Sequence, residues 1–253
     1  MDNNILFTLS HNNLVANITF NNIKNYNAFD LPTIIQFNKY ITKASLDKNI
    51  KIIVIKANSK HFSSGADLKW MQQSINYTKK QNIADANQLA FMLLNLYNCN
   101  KLIICAIQGN VYGGAIGIVA CSDIVIAVEN ARLCFSEIKL GLAPAIISQF
   151  VLKSMNNNFA KYYMLTAKPF TAKQALQAGL VHKVIKLNTL EQHVIDHIKY
   201  LLDFNQQGIM TTKKLLRQQR GTISMKYLHT CVATIAKLRT SAACQILIKN
   251  FLK

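Results

Sequence analysis

The sequence predicts an α/β fold, and three observations carry that expectation. Apolar runs rich in Ile and Val recur along the first half of the chain. The stretches between them show helical spacing. From about Phe159 onward the pattern turns helical. With 253 residues, 51% of them hydrophobic, the chain can bury one large core.

The strands are expected at "LVANITF" (14–20), "IKIIVIKA" (50–57), "KLIICAIQ" (101–108) and "IVIAV" (124–128), which are largely unbroken apolar runs, as buried strands are. "LPTIIQFNKYITKA" (31–44) has helical spacing behind Asp30, a suitable N-cap, with Pro32 in the first turn. "IADANQLAFMLLNLY" (83–97) is a second helix. Farther on, "TAKQALQAGLV" places Gly179 as the C-cap of another. "LEQHVIDHIKYLLDF" (190–204) sets Leu190, Val194, Ile198 and Leu201 on one face, and 206–220, 224–239 and 241–252 read as further helices. A helical tail with such a stripe must pack on its own core or on another subunit.

The formal charge of +18 favours anionic partners, among them phosphorylated cofactors, nucleic acid and anionic lipid. The charge is uneven: beyond Asp203 there is no acid, yet that segment holds nine Lys and Arg. No charge-free apolar run reaches the 18 residues of a membrane span, so no membrane association is expected. The N-terminus has no basic region leading into an apolar one, and the first arginine is Arg132, so neither a signal peptide nor a transit peptide is read and a cytoplasmic location is expected. Six cysteines without a CxxC pair are expected to be reduced core residues. His193 and His197 lie four apart, but Val194 stands where a zinc protease needs Glu; solvent-facing helix histidines and no metal site are expected.

Three segments can carry chemistry. In "HFSSGADLKWM" (61–71), the small residues Ser63, Ser64, Gly65 and Ala66 let a ligand approach free backbone N–H groups. In "IQGNVYGGAIGIVACSD" (107–123), Gly113 and Gly114 stand where a helix begins, so unpaired N–H groups and the positive end of the helix dipole face outward, a site for an anion or for charge that develops in a transition state. In "FSEIKLGLAPAIIS" (135–148), Glu137 is one of three glutamates and is flanked by apolar residues; it is either a general base or acid with a raised pKa or an ordinary ion-paired carboxylate.

Together and in this order the segments resemble the enoyl-CoA hydratase/isomerase (crotonase) superfamily. The likeness begins at "NNIKNYNAF" (21–29) and runs through "HFSSGADL", "IQGNVYGGAIG" and "SDIVIA" to "LTAKPFTAKQALQAGLVHKVI" (165–185). Within it, "GADLKWMQQS", "GGAIGIVACSDI" and "CFSEIKLGLAPAIISQFVL" are similar to the bacterial methylglutaconyl-CoA hydratases of leucine and isoprenoid-acid degradation. The resemblance implies a spiral of repeated β-β-α units over 1–189 and a helical oligomerisation region over 190–253 that builds trimers, often paired into hexamers. It implies hydration of a branched 2-enoyl-CoA, 3-methylglutaconyl-CoA for the branch, with the N–H groups of Ala66 and Gly114 on the thioester oxygen and Glu137 as the acid–base group. Contacts to coenzyme A, part of the substrate rather than a cofactor, are implied at Lys24, Ser64, Ala66, Asp67 and Leu68.

The family's two-acid hydratases carry a second glutamate three residues past the second glycine, where this chain has Gly117. One acid must then do both tasks, or the reaction is an isomerisation in which a single base moves a proton. Ile23 replaces the family's proline, and Lys249 and Lys253 stand in for the basic residues that end its relatives. Lys69 and Lys139 are candidates for a distal acyl carboxylate. Lys39 and Lys43 match part of an RNA-binding lysine pattern in one hydratase relative, but Asp47 breaks it, so nucleic acid is not an expected partner.

Overall fold

The computed structural model describes residues 4–251. In chain order its elements are β1 (Ile5–Ser10), β2 (Val15–Phe20), α1 (Leu31–Leu46), β3 (Ile52–Ala57), α2 (Leu68–Ser74), α3 (Lys79–Asn98), β4 (Leu102–Ile107), β5 (Asn110–Tyr112), α4 (Gly114–Ala120), β6 (Ile124–Val128) and β7 (Arg132–Cys134). There follow α5 (Ala145–Ser154), α6 (Asn157–Thr166), β8 (Phe170–Thr171), α7 (Ala172–Gln177), β9 (Lys183–Ile185), α8 (Leu190–Leu202), α9 (Gln206–Gln219), α10 (Met225–Arg239) and α11 (Ala242–Phe251).

Six strands form one sheet in the order β1-β2-β3-β4-β6-β9; β1 pairs antiparallel with β2 and every other pair is parallel. Because successive side chains in a strand point to opposite faces, each central strand splits its apolar residues between two layers. Ile53, Ile55, Ile103, Cys105, Val125 and Ala127 join the main core, which holds buried residues of α1, α3 and α4. Ile52, Val54, Leu102, Ile104, Ala106 and Ile126 face a second cluster closed by Val194 and Ile198 of α8. Both faces are covered, and that is why all six residues of "LIICAI" in β4 are buried.

A second, smaller sheet holds β5, β7 and β8, and isolated parallel bridges at Ser63↔Val111 and Phe29↔Ala66 extend its line. Each turn of the chain therefore gives a long strand to one sheet and a short segment to the other before its helix; β4-β5-α4 and β6-β7-α5 repeat the unit fully. This is the spiral of repeated β-β-α units that the sequence led us to expect.

The four expected strands and the cap of α1 are present: the Asp30 carboxylate accepts a hydrogen bond from Thr33 N at 2.9 Å. Two expectations need correction. β1 is an additional strand, half exposed at the sheet edge, which turns into β2 through His11, Asn12 and Asn13, all with positive φ. The region after Phe159 is not wholly helical, since β8 and β9 lie in it; at two and three residues they are too short to show a period.

The tail packs on its own chain. Leu190, Leu201 and Leu202 complete the stripe of α8 against the large sheet. Leu228, Cys231, Val232 and Ile235 of α10 enter the main core, and Cys244 and Ile248 of α11 pack on Met71. Among the described residues no single helix is long and apolar enough to cross a membrane; α10 and α11 pass that test only as a pair, bent by 71°. The six cysteines are buried and free. His193 and His197 are half buried rather than fully solvent-facing, each Nδ1 lying within 3.1 Å of the carbonyl oxygen one turn back.

Candidate active site

A cavity of about 620 Å³ opens between the start of α4, the turn at Glu137, α2 and the two last helices. Its walls are built by local rules. The loop at 21–29 and the segment "SSGAD" lie side by side: Phe29 N donates to Gly65 O at 2.7 Å and Asp67 N donates to Phe29 O at 2.8 Å. In a parallel bridge these bonds use the groups on either side of Ala66, so the Ala66 N–H points away from Phe29. It has no protein acceptor among the described residues. Gly65 makes the bend at φ +99°, open to glycine and strained for any other residue. Asp67 then caps α2, its carboxylate accepting from Trp70 N at 3.0 Å.

The second wall is Gly113-Gly114. Gly113, at φ 55° and ψ −127°, turns the chain out of β5 while its N–H donates to Cys134 O at 3.0 Å. Gly114 is the first residue of α4, and its N–H likewise has no protein acceptor among the described residues. A Cβ on Gly114 would come to 3.4 Å from Leu89, so the peptide is closely walled on its far side.

Glu137 opens a short 3₁₀ turn, Glu137–Leu140, that ends at Gly141 in the left-handed region. The turn carries its side chain over Gly113: Oε1 lies 3.5 Å, and Ser136 Oγ 3.7 Å, from the point a Gly113 Cβ would occupy. The residue as a whole is partly exposed, yet Oε2 is buried and has no hydrogen-bond partner among the described residues. Burial raises the carboxyl pKa to about 7, against a smaller pull downward from its own backbone N–H. Ionisation is therefore poised near neutrality, as an acid–base catalyst requires. Of the two alternatives left open by sequence, the unpaired acid is the one found.

Ala66, Gly114 and Glu137 share this cavity with Lys24, Ser64, Asp67 and Leu68. Lys24, Lys69 and Lys139 also line it and are exposed. Lys249 is exposed on α11 and is not a lining residue, and Lys253 lies outside the described residues. Ile23, which stands where the family has proline, is 55% exposed. Gly117 does not face the cavity. A Cβ there would stand 2.7 Å from Leu93 Cδ1 and 2.9 Å from Ile147 Cγ2, so two buried side chains fill the place a second acid would need.

Sequence reasoning missed one residue. Arg239 of α10 lines the same cavity, and its Nη1 donates to Asp85 Oδ2, whose other oxygen accepts from Trp70 Nε1 at 2.9 Å. Nothing local marks this pair, because its members are 154 positions apart.

A second cavity of about 610 Å³ lies between α9 and the end of the large sheet. Most of its charges are engaged in structure: Lys213 pairs with Asp123 at 2.6 Å and donates to Lys101 O, and Arg217 donates to Tyr97 O and Asn100 Oδ1, while Arg220 lines it as well. His182 lines it too, its Nδ1 accepting from Val125 N at 2.9 Å.

The fold is that of a solved enoyl-CoA hydratase from Shewanella pealeana, 36% identical, with a TM-score of 0.82 over 98% of this chain and 92% of that one. The model of the enoyl-CoA hydratase/isomerase family matches residues 10–249, and the chain belongs to that family. It is an enzyme of the enoyl-CoA hydratase/isomerase type, acting on acyl-CoA thioesters. Its relatives include the 2,3-dehydroadipyl-CoA hydratase of Escherichia coli, 27% identical over 89% of each chain. They also include the trans-2-decenoyl-(acyl-carrier-protein) isomerase of Streptococcus mutans, 30% identical over 74% of this chain and 73% of that one.

Proposed function

We propose that this enzyme adds water across the double bond of a branched 2-enoyl-CoA, 3-methylglutaconyl-CoA, with Glu137 as its acid–base group. The observation that carries this is the buried, unpartnered Oε2 of Glu137 in one cavity with two free N–H groups. Ala66 N–H and Gly114 N–H hold the thioester oxygen. The Glu137 carboxylate takes a proton from water as the hydroxyl adds to C3, and the negative charge moves onto the thioester oxygen as an enolate. Glu137 then returns that proton to C2, so water is consumed and the carboxylate is restored. One acid performs both transfers because Leu93 and Ile147 occupy the place of another. The branched dicarboxylic substrate is supported by "SEIKLGLAPAIIS" and by the E. coli relative, whose named substrate is also a dicarboxylic enoyl-CoA.

The filled Gly117 position also favours a second reading, isomerisation, in which Glu137 removes a proton from one carbon and returns it to another. Product analysis with 2-enoyl and 3-enoyl thioesters separates them. A 3-hydroxyacyl-CoA product from the 2-enoyl substrate is expected. A shifted double bond with no hydroxylated product overturns the hydratase reading.

We further propose, from the family's use of its C-terminal region, that the chain assembles as a trimer or a pair of trimers.

A further inference from the structure

We propose that Arg239 is the anchor for a distal carboxylate on the acyl chain, held in place by Asp85. This rests on the reading of the cavity as the acyl-CoA site. The guanidinium has five N–H donors, and among the described residues only Nη1 has an acceptor. Its side chain is 15% exposed, that of Asp85 only 3%. The rest of the guanidinium therefore presents unpaired donors at the wall of a cavity it lines, packed over the Trp70 ring at 5.5 Å.

The pair is superfluous as a tie between helices. α10 already buries Leu228, Cys231, Val232 and Ile235, and a buried ion pair adds little that well-packed apolar side chains would not. What the pair adds is a fixed, partly desolvated cation in a largely apolar chamber. Lys24, Lys69 and Lys139 are poorer anchors, because they are exposed at the cavity wall, where water and salt screen them.

The order of contacts along α3 also fits. Leu89 abuts Gly114, and Asp85 lies one helical turn before it on α3, about 5–6 Å away along the axis. Arg239, tied to Asp85, and Gly114, against Leu89, therefore meet the same helix at successive turns and line the same cavity. The ligand class is a short dicarboxylic acyl thioester.

The test is equilibrium binding of two saturated thioesters, glutaryl-CoA and butyryl-CoA, to the whole enzyme by calorimetry. Neither can be hydrated, so the result is independent of which reaction Glu137 performs; that question is answered by the product analysis above. The native enzyme is expected to bind glutaryl-CoA about 10–100-fold more tightly, the range for a charge-assisted pair. Arg239→Gln should bring the ratio close to one. Because that change leaves Asp85 buried without its partner, the double variant Arg239→Met/Asp85→Asn removes both charges together and should give the same ratio. Equal affinities in the native enzyme overturn the assignment, and so does a preference that survives in the double variant.

Discussion

Glu137 is the residue on which the chemistry turns, and its environment sets two measurable outcomes. Glu137→Gln keeps the shape and removes the proton acceptor, so turnover should fall by at least about 10²-fold; a rate near native on every enoyl-CoA removes Glu137 from the mechanism. The second outcome concerns stability. Folding raises this carboxyl from its ordinary 4.5 to about 7, so the folded state holds the proton more tightly than the unfolded state. Its favourable contribution is complete below pH 4.5, declines as pH rises to about 7 and is absent above that. The Gln variant should therefore gain stability relative to the native enzyme between pH 4 and pH 8, by up to roughly 3 kcal/mol. Melting curves at the two ends of the range check it: an unchanged difference in Tm means the carboxyl titrates normally. Gly117 gives a steric test. Ala gains about 1 kcal/mol of helix propensity over Gly but forces a Cβ against Leu93 and Ile147, at about 1–3 kcal/mol. Gly117→Ala should lower Tm, and an equal or higher Tm means the two side chains give way freely.

The elements divide into those fixed by nearby residues and those fixed by distant ones. At Gly114 the prediction is local. Pro is tolerated at the first position of a helix yet has no N–H, so Gly114→Pro should abolish turnover while circular dichroism stays native; native turnover removes this N–H from the thioester site. The four long strands, the Asp30 and Gly179 signals and the tail helices were legible in the sequence, because each rests on a period or a cap spanning a few residues. So were Ala66, Gly114 and Glu137 as candidates, because small residues and an isolated acid stand out against apolar neighbours. The two- and three-residue strands were not, since their pairing is decided by the sheet they join. Nor was Arg239, one cation among nine beyond Asp203, distinguished only by the fold that brings it to Asp85. The tail's packing lay between, as a stripe shows that a helix has a buried side but not what it meets.

Across the whole molecule, α8 closes the far side of the large sheet, opposite the face that carries the cavity's core. Ile198 is 3% exposed there, and Ile198→Ala should cost about 2–5 kcal/mol by denaturant unfolding, with kcat little changed; a loss under 1 kcal/mol means α8 is a loose cover. The proposed trimer predicts a sedimenting species of three or six chains at micromolar concentration, and a stable monomer there counts against it. The placement of α10 and α11 has a consequence in time. Glu137 leaves the ribosome well before Ile235, Arg239, Ile248 and Phe251, which wall the cavity it faces. At about 5–20 residues per second, the growing polypeptide spends on the order of ten seconds with that wall still unmade. The chamber around the carboxyl is thus completed late, when α11 comes to pack on the turn that carries Glu137.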